Sequence, residues 1–285
     1  MANTIQLRKF YSEALDEVYK QASLTSVLDG DNSLVKEGAN ANEILIPKMT
    51  MDGLATYGRN TGFVDGSVNF SYETKQIAYD RGRMFSVDAL DEQEATPVFS
   101  ALSAGFVRTQ VVPELDAYRF GAYASHAGVG SATGALATGK DAISAVMTAK
   151  SAIKDAEAGL GTVYLFIKST LKDLIDSLDT TASRAALEGW AGVIEVPSAR
   201  FFKTVKLNDG VTGAQKTGGF SGTGALNFIA VDKKAVIQFQ KHTVNKIISP
   251  DQNQDADAWK FGYRTAGIAD VRDNKVAGVY AHVTA

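Results

Sequence analysis

The chain opens on a helical period. Leu7, Phe10, Tyr11, Ala14, Leu15, Val18, Tyr19 and Ala22 recur at steps of three and four, the spacing of one face of an α-helix. Nothing ahead of this stripe can form a core, so it must dock elsewhere: on its own domain, on a neighbouring copy or on a partner. Residues 23–42 are polar and turn-rich and predict an extended arm. A short strand follows at 43–49, where Pro47 points to an edge position. Gly53, Gly58, Gly62 and Gly66 then punctuate a stretch that reads as a mobile loop. After it Val68, Phe70 and Tyr72 alternate with Asn69, Ser71 and Glu73, the pattern of a half-buried strand. The apolar parity shifts to Ile77, Tyr79, Phe85 and Val87, so a single long strand needs a bulge or twist near 74–76. A ribbon of this length with so little core-forming sequence is expected to project from the body as a contact device.

Further along, Thr96 and Pro97 pair as N-cap and first residue of a helix. Helical character continues to about Ser125, and Pro113 must kink that helix or start a second one. Residues 127–139 are rich in Gly, Ala, Ser and Thr and predict a loop or linker. Helix 140–158, strand 163–167, helix 170–178 and strand 192–196 make an α/β subregion. Residues 207–224 carry six glycines and read as a second loop. Strands are expected at 226–231 and 244–248 with a helical stretch at 233–240 between them. In the tail, Trp259, Phe261 and Tyr263 alternate, a turn falls at Asp273 and Asn274, and Val279, Ala281 and Val283 alternate again. That is the signature of a hairpin. No internal repeat is apparent.

Composition narrows the function classes. At 285 residues, 45% hydrophobic and 21% charged, the chain has ordinary globular usage, which excludes global disorder. It lacks both a run of about 18 apolar residues and the apolar core of a signal peptide, so it reads as a soluble protein made inside the cell. With no cysteine there is no disulfide, thiol nucleophile or thiolate-bound zinc. A net charge of -3 argues against a dedicated nucleic-acid binder. Residues 1–125 hold 11 basic and 17 acidic side chains, while 126–243 hold 13 and 10. This imbalance is either solvated surface or complementarity between subunits.

Candidate chemistry is thin. His126, His242 and His282 lie far apart without ligand spacing, and no phosphate-binding loop or nucleophile elbow occurs. Gly128, Gly130 and Gly134 are one residue too widely spaced for a dinucleotide fingerprint. Asp251, Asn253, Asp255 and Asp257 alternate like calcium ligands, but Ala256 and Gly262 stand where such a loop needs Gly and Glu. Asp88, Asp91, Glu92 and Glu94 offer paired carboxylates, and they also lie just ahead of a helix N-terminus, where acidic residues are favoured anyway. The reading is of a non-enzyme, with no cofactor and no metal.

The run AYDRGRMFSVDALDEQEA at 78–95, the stretch VVPELDAYRFGAYAS at 111–125, GVIEVPSARF at 192–201 and the ending WKFGYRTAGIADVRDNKVAGVYAHV at 259–283 together resemble tailed-phage major capsid proteins of the Hong Kong 97 phage type. The likeness runs through nearly the whole chain in the expected order. It implies an α+β fold: an N-terminal arm at 1–50, an extended loop at 51–83, a peripheral domain with a long spine helix at 84–139 and 244–285, and an α/β axial domain at 140–243. It implies a structural protein that self-assembles into hexamers and pentamers of an icosahedral virion shell. That shell would be built in the host bacterial cytoplasm and would enclose double-stranded DNA held by non-specific contact. A portal protein and a scaffolding protein are the implied partners. A bacterial nanocompartment shell of the same fold is the alternative, and a small-molecule enzyme on 140–243 is a rival of another class. Met1 followed by Ala2 reads as a natural start, which favours a scaffold encoded separately. Leu7, Phe10, Leu15 and Val18 are its expected docking face. Arg81, Arg83, Asp88 and Asp91, where the ribbon rejoins the body, are expected to work between subunits.

Overall fold

The computed structural model describes residues 23–29, 36–37, 43–89 and 105–285. The helix expected around Leu7, Phe10, Leu15 and Val18, the Thr96–Pro97 cap and Asp91 lie outside the described residues.

Three sheets organise the described residues. The first joins β1 (Lys36–Glu37), β2 (Glu43–Met51) and β3 (Val68–Gln76), all antiparallel. The second orders β10 (Val236–Ile248), β11 (Ala258–Val271) and β4 (Tyr79–Asp88). The third runs β5 (Gly130–Thr133), β12 (Val279–Val283), β9 (Phe220–Asp232), β6 (Val163–Lys168) and β7 (Gly192–Val196), with β8 (Phe202–Leu207) paired on β9. Four helices accompany them among the described residues: α1 (Val112–Ser125), α2 (Gly139–Asp155), α3 (Ser169–Asp176) and α4 (Thr181–Leu187).

The third sheet is covered on both faces, which explains its continuous apolar strands. Along β6, Val163, Leu165 and Ile167 join a cluster with Ala142, Val146, Ala149 and Ile153 of α2 and Leu171 and Ile175 of α3. Phe166 points the other way, its ring centroid 5.1 Å from Phe120 of α1. Phe201 completes that second cluster at 5.1 Å from Phe120. Thr138 and Asp141 form a reciprocal capping box at the start of α2. Lys150 of α2 donates to the carbonyls of Ala185 and Glu188, closing the C-terminal end of α4.

Several expectations are corrected here. The parity shift near 74–76 is a break rather than a bulge, because β3 and β4 belong to different sheets and residues 77–78 join them. Pro113 lies in the first turn of α1 and so begins a new α-helical segment, one of the two outcomes expected of it. A π-helical turn at Val107–Val111 runs straight into α1. The stretch 127–139 contains β5, an edge strand parallel to β12 that needs little from its side chains. The glycine-rich 207–224 stretch is a loop only at 208–219. Gly222 lies inside β9, where an added Cβ would meet the Phe202 ring at 2.2 Å. The helix expected at 233–240 is the start of β10: Val236 and Ile237 are buried and paired with Val271 and Asp270, so tertiary pairing overrides local propensity. The tail is no hairpin, since the turn at Asp273–Gly278 carries the chain from the second sheet to the third.

Candidate functional site

Strands β2 and β3 form a ribbon of nine paired positions, from Glu43 opposite Gln76 to Met51 opposite Val68. At ~3.3 Å per residue it spans roughly 30 Å. Because side chains alternate, its two faces differ. One face carries Pro47, Met49 and Met51 opposite Tyr72, Phe70 and Val68. Val68, Phe70 and Tyr72 are the alternating residues expected to be half-buried, but among the described residues nothing covers them and they are exposed. The tip at 52–67 continues the stripe, with Leu54 107% and Phe63 90% exposed. Local contacts shape the tip: Asp52 accepts from the Ser67 amide at 2.7 Å, Gly58 bridges Gly62, and Tyr57 meets Phe63 edge-on at 4.9 Å.

The opposite face seats the ribbon's base on the body. Ile44 and Ile46 pack against Ile237, Phe239 and Ile268 of the second sheet. Beside them Lys75 Nζ lies 3.0 Å from Asp270, 3.2 Å from Asp273 and 2.7 Å from Glu73, the last an ion pair without hydrogen-bond alignment. Burial alone would lower the Lys75 pKa, but Glu73 and Asp270 outweigh it and raise it above the ordinary lysine range.

The expected charged strip is not brought together as one group. Arg81 grips Glu114 of α1 through Nε at 2.8 Å and Nη2 at 3.3 Å, and donates to the carbonyls of Asn208 at 2.6 Å and Gly219 at 3.2 Å. Arg83 donates to the Lys216 carbonyl at 3.2 Å. Both arginines thus hold the loop 208–219 against the ribbon's root. Asp88 sits at the far end of β4 opposite Ala258, and by strand alternation on the other face. Asp80, on that other face, pairs with Arg264 at 2.6 Å.

Sequence reasoning missed a buried polar knot. Asp116 of α1 is fully buried and accepts from Ser23 Oγ at 2.9 Å, the Leu24 amide at 3.0 Å, Thr25 Oγ1 at 2.6 Å and Arg200 at 3.0 Å. Arg119 donates to Thr25 Oγ1 at 2.9 Å. Tyr123, whose phenol burial pushes well above its usual pKa, donates to Gln238 at 2.7 Å. Gln238 in turn binds the Thr25 carbonyl and Asp29. The segment 23–29, part of the stretch expected to be an extended arm, instead turns at Thr25–Leu28 and is locked to α1 with Thr25 and Leu28 buried. The available signal was Asp116, Arg119 and Tyr123 at i, i+3 and i+7 on one stripe of the helix.

The three histidines stay apart: His126 follows α1, His242 lies on β10, and His282 of β12 stacks on Phe228, where burial lowers its pKa. Among the described residues no group of three or more His, Asp or Glu side chains is arranged to hold a metal. Among the described residues no helix is long and apolar enough to cross a membrane.

No sequence-family model and no curated protein matches this chain. Solved structures do. The bacteriophage PhiM1 mature capsid matches with a TM-score of 0.68 at 11% identity, covering 97% of this chain and 91% of that one. The capsid of cyanophage P-SCSP1u matches at 0.67 and 12%, covering 98% and 93%. A chain of Mycobacterium phage Che8 matches at 0.66 and 12%, covering 99% and 98%. The chain has the fold of tailed-phage capsid proteins, the Hong Kong 97 type.

Proposed function

We propose that this chain is the major capsid protein of a tailed phage. Its copies assemble into the hexamers and pentamers of an icosahedral shell enclosing double-stranded DNA, within the host bacterial cytoplasm. The observation that carries the reading is the ribbon's outer face. Five apolar side chains, Met49, Met51, Val68, Phe70 and Tyr72, and an apolar tip stand in solvent on a strand pair whose alternation demands a covering surface. A chain with the fold of capsid proteins has such a surface in its own neighbouring copies, and the reading is structural rather than enzymatic.

In this reading residues 1–50 are the arm, 51–83 the extended loop, 84–139 with 244–285 the peripheral domain, and 140–243 the axial domain. Arg83, Asp88 and Asp91 serve contacts between subunits, while Arg81 chiefly braces its own. A separate scaffolding protein docks on Leu7, Phe10, Leu15 and Val18, a portal protein occupies one vertex, and DNA is held without sequence readout. Electron microscopy and light scattering of the purified chain test the proposal. Closed shells or capsomer rings are expected, with or without the scaffold. A chain that stays monomeric at high concentration in both conditions overturns it.

A further inference from the structure

The ribbon's base is held to the body by two different seats, and only one of them depends on charge. The apolar seat is Ile44 and Ile46 on Ile237, Phe239 and Ile268. The second seat gathers ionisable groups from every element that meets there. Glu73 and Lys75 come from β3, Lys48 from β2, Asp270 from β11, Asp273 from the following turn, and His126 from the end of α1. Tyr118 of α1 feels the field of Asp270, and Arg272 lies between the two aspartates in sequence with its Nε buried and unpartnered. His126 Nε2 is 3.4 Å from Asp270 and 3.9 Å from Asp273. Lys75 and Glu73 are nearly enclosed, with side chains 15% and 11% exposed.

The sign of the attraction hangs on one ammonium. Glu73 brings a negative charge from the ribbon toward two aspartates of the body, and Lys75 is the cation within ion-pair distance of all three carboxylates. With Lys75 in place the ribbon is drawn to the body. Without it, Glu73 faces the two aspartates with Lys48 as the ribbon's remaining cation there, outside ion-pair distance, so repulsion across the seat outweighs attraction. The ribbon's covalent path into β4 is the short irregular pair 77–78, between strands of different sheets.

We propose that the Lys75 cluster is a charge latch that fixes the angle of the ribbon to the body, and that opening it lets the ribbon swing about residues 77–78. The latch sets how the ribbon's apolar face is presented before anything covers it. It is a property of the single chain and stands whether or not shells form.

The chain has no cysteine, so two introduced cysteines, Met49→Cys on the ribbon and Met147→Cys on α2, take nitroxide labels cleanly. Both positions are exposed. Electron–electron distance measurements on labelled chain diluted with unlabelled chain then read the ribbon's angle. At neutral pH one narrow distance distribution is expected. Lys75→Met should widen it roughly twofold, as a second orientation becomes populated, and Lys75→Arg should keep it narrow. Two rescues separate the latch from simple packing. Acidification should narrow the Lys75→Met distribution as the carboxylates take up protons, and adding Glu73→Gln to Lys75→Met should narrow it at neutral pH. An unchanged distribution in Lys75→Met, or a widening that neither rescue reverses, overturns the proposal. If Lys75→Met does not fold, Asp270→Asn with Asp273→Asn removes the body's half of the latch. Widening is then expected, and no change overturns the idea.

Discussion

The ribbon and the third sheet are both built from strands rich in Val, Ile, Phe and Tyr, yet one leaves its rings in solvent and the other buries them. In β6 apolar residues run without interruption, and each face has its own cover, α1 with Phe201 on one side and α2 with α3 on the other. In β3 every second residue from Val68 to Tyr72 is apolar, and the face they share meets nothing among the described residues. Continuous burial is closed within one subunit. Alternation states only that one face needs a cover, not whether the cover belongs to the same chain. The difference lies in the partners available to each strand rather than in the strands themselves.

That contrast predicts opposite responses to the same truncation. Phe166→Ala empties a fully buried site and should cost the subunit about 3–5 kcal/mol, read by urea denaturation. Phe70→Ala should shift subunit stability by no more than about 0.5 kcal/mol, as exposed substitutions do, while weakening self-association. A comparable loss of stability in the two variants would show that the ribbon belongs to the core and end the contrast.

The next effect tests a polar region buried as thoroughly as β6. Asp116→Ala leaves Arg200 without its carboxylate and the Ser23, Leu24 and Thr25 donors without an acceptor. Breaking one side of a buried pair costs about 3–5 kcal/mol, set here toward the low end because water can reach the partly buried segment 23–29. Hydrogen exchange should show the amides of Leu24 and Thr25 losing protection first. Protection equal to the wild type would mean that the segment is held by Leu28 alone.

How much of this was legible follows from the range of the forces involved. Helix α2 and strands β6 and β7 stand where the sequence pattern put them, because each is specified locally, α2 by its apolar spacing of three and four and the strands by short apolar runs bounded by turns. The stretch 233–240 has an equally clear apolar pattern and was misread. Val236 and Ile237 are held by β11, about thirty residues further on, and no local signal reports a partner at that distance. The tail failed for the same reason: the hairpin pattern was real, but the two strands serve different sheets. At the candidate surface the ribbon's apolar alternation was legible, and its two-faced character was not. Ile44, Ile46 and Lys75 face the body only because of where the chain turns at 77–78.

A third test separates the ribbon from its root. Removing residues 53–69 should leave subunit melting nearly unchanged, since none of them joins a buried cluster among the described residues, and should abolish assembly. At the root the two arginines should diverge. Arg81→Ala loses a two-point grip on Glu114 and two carbonyl contacts, and should cost about 1–3 kcal/mol in the subunit. Arg83→Glu should leave subunit melting almost unaltered while blocking assembly. If Arg83→Glu subunits assemble normally, Arg83 serves only its own chain.

The smallest effect concerns an exposed loop that its own chain organises. Asp209 opens the loop gripped by Arg81 and Arg83. It accepts from the Thr212 hydroxyl and from the amides of Val211 and Thr212 at 2.9 and 3.0 Å. These bonds, the Thr212 hydroxyl first, hold its carboxyl down to about 2. A pKa lower in the folded chain than in the unfolded one stabilises the fold above the ordinary value of 3.8 and ceases to do so as pH falls through the folded value. The window is therefore pH 4 to 2, and because the group is fully exposed the change should be slight. Carboxyl NMR should find an Asp209 midpoint near 2, moved upward by Thr212→Val. A midpoint at the ordinary value would mean the turn is not formed in solution. The loop would then take its order from an outside surface, and the line between exposed segments that are self-organised and those that are not would have to be redrawn at Asn208.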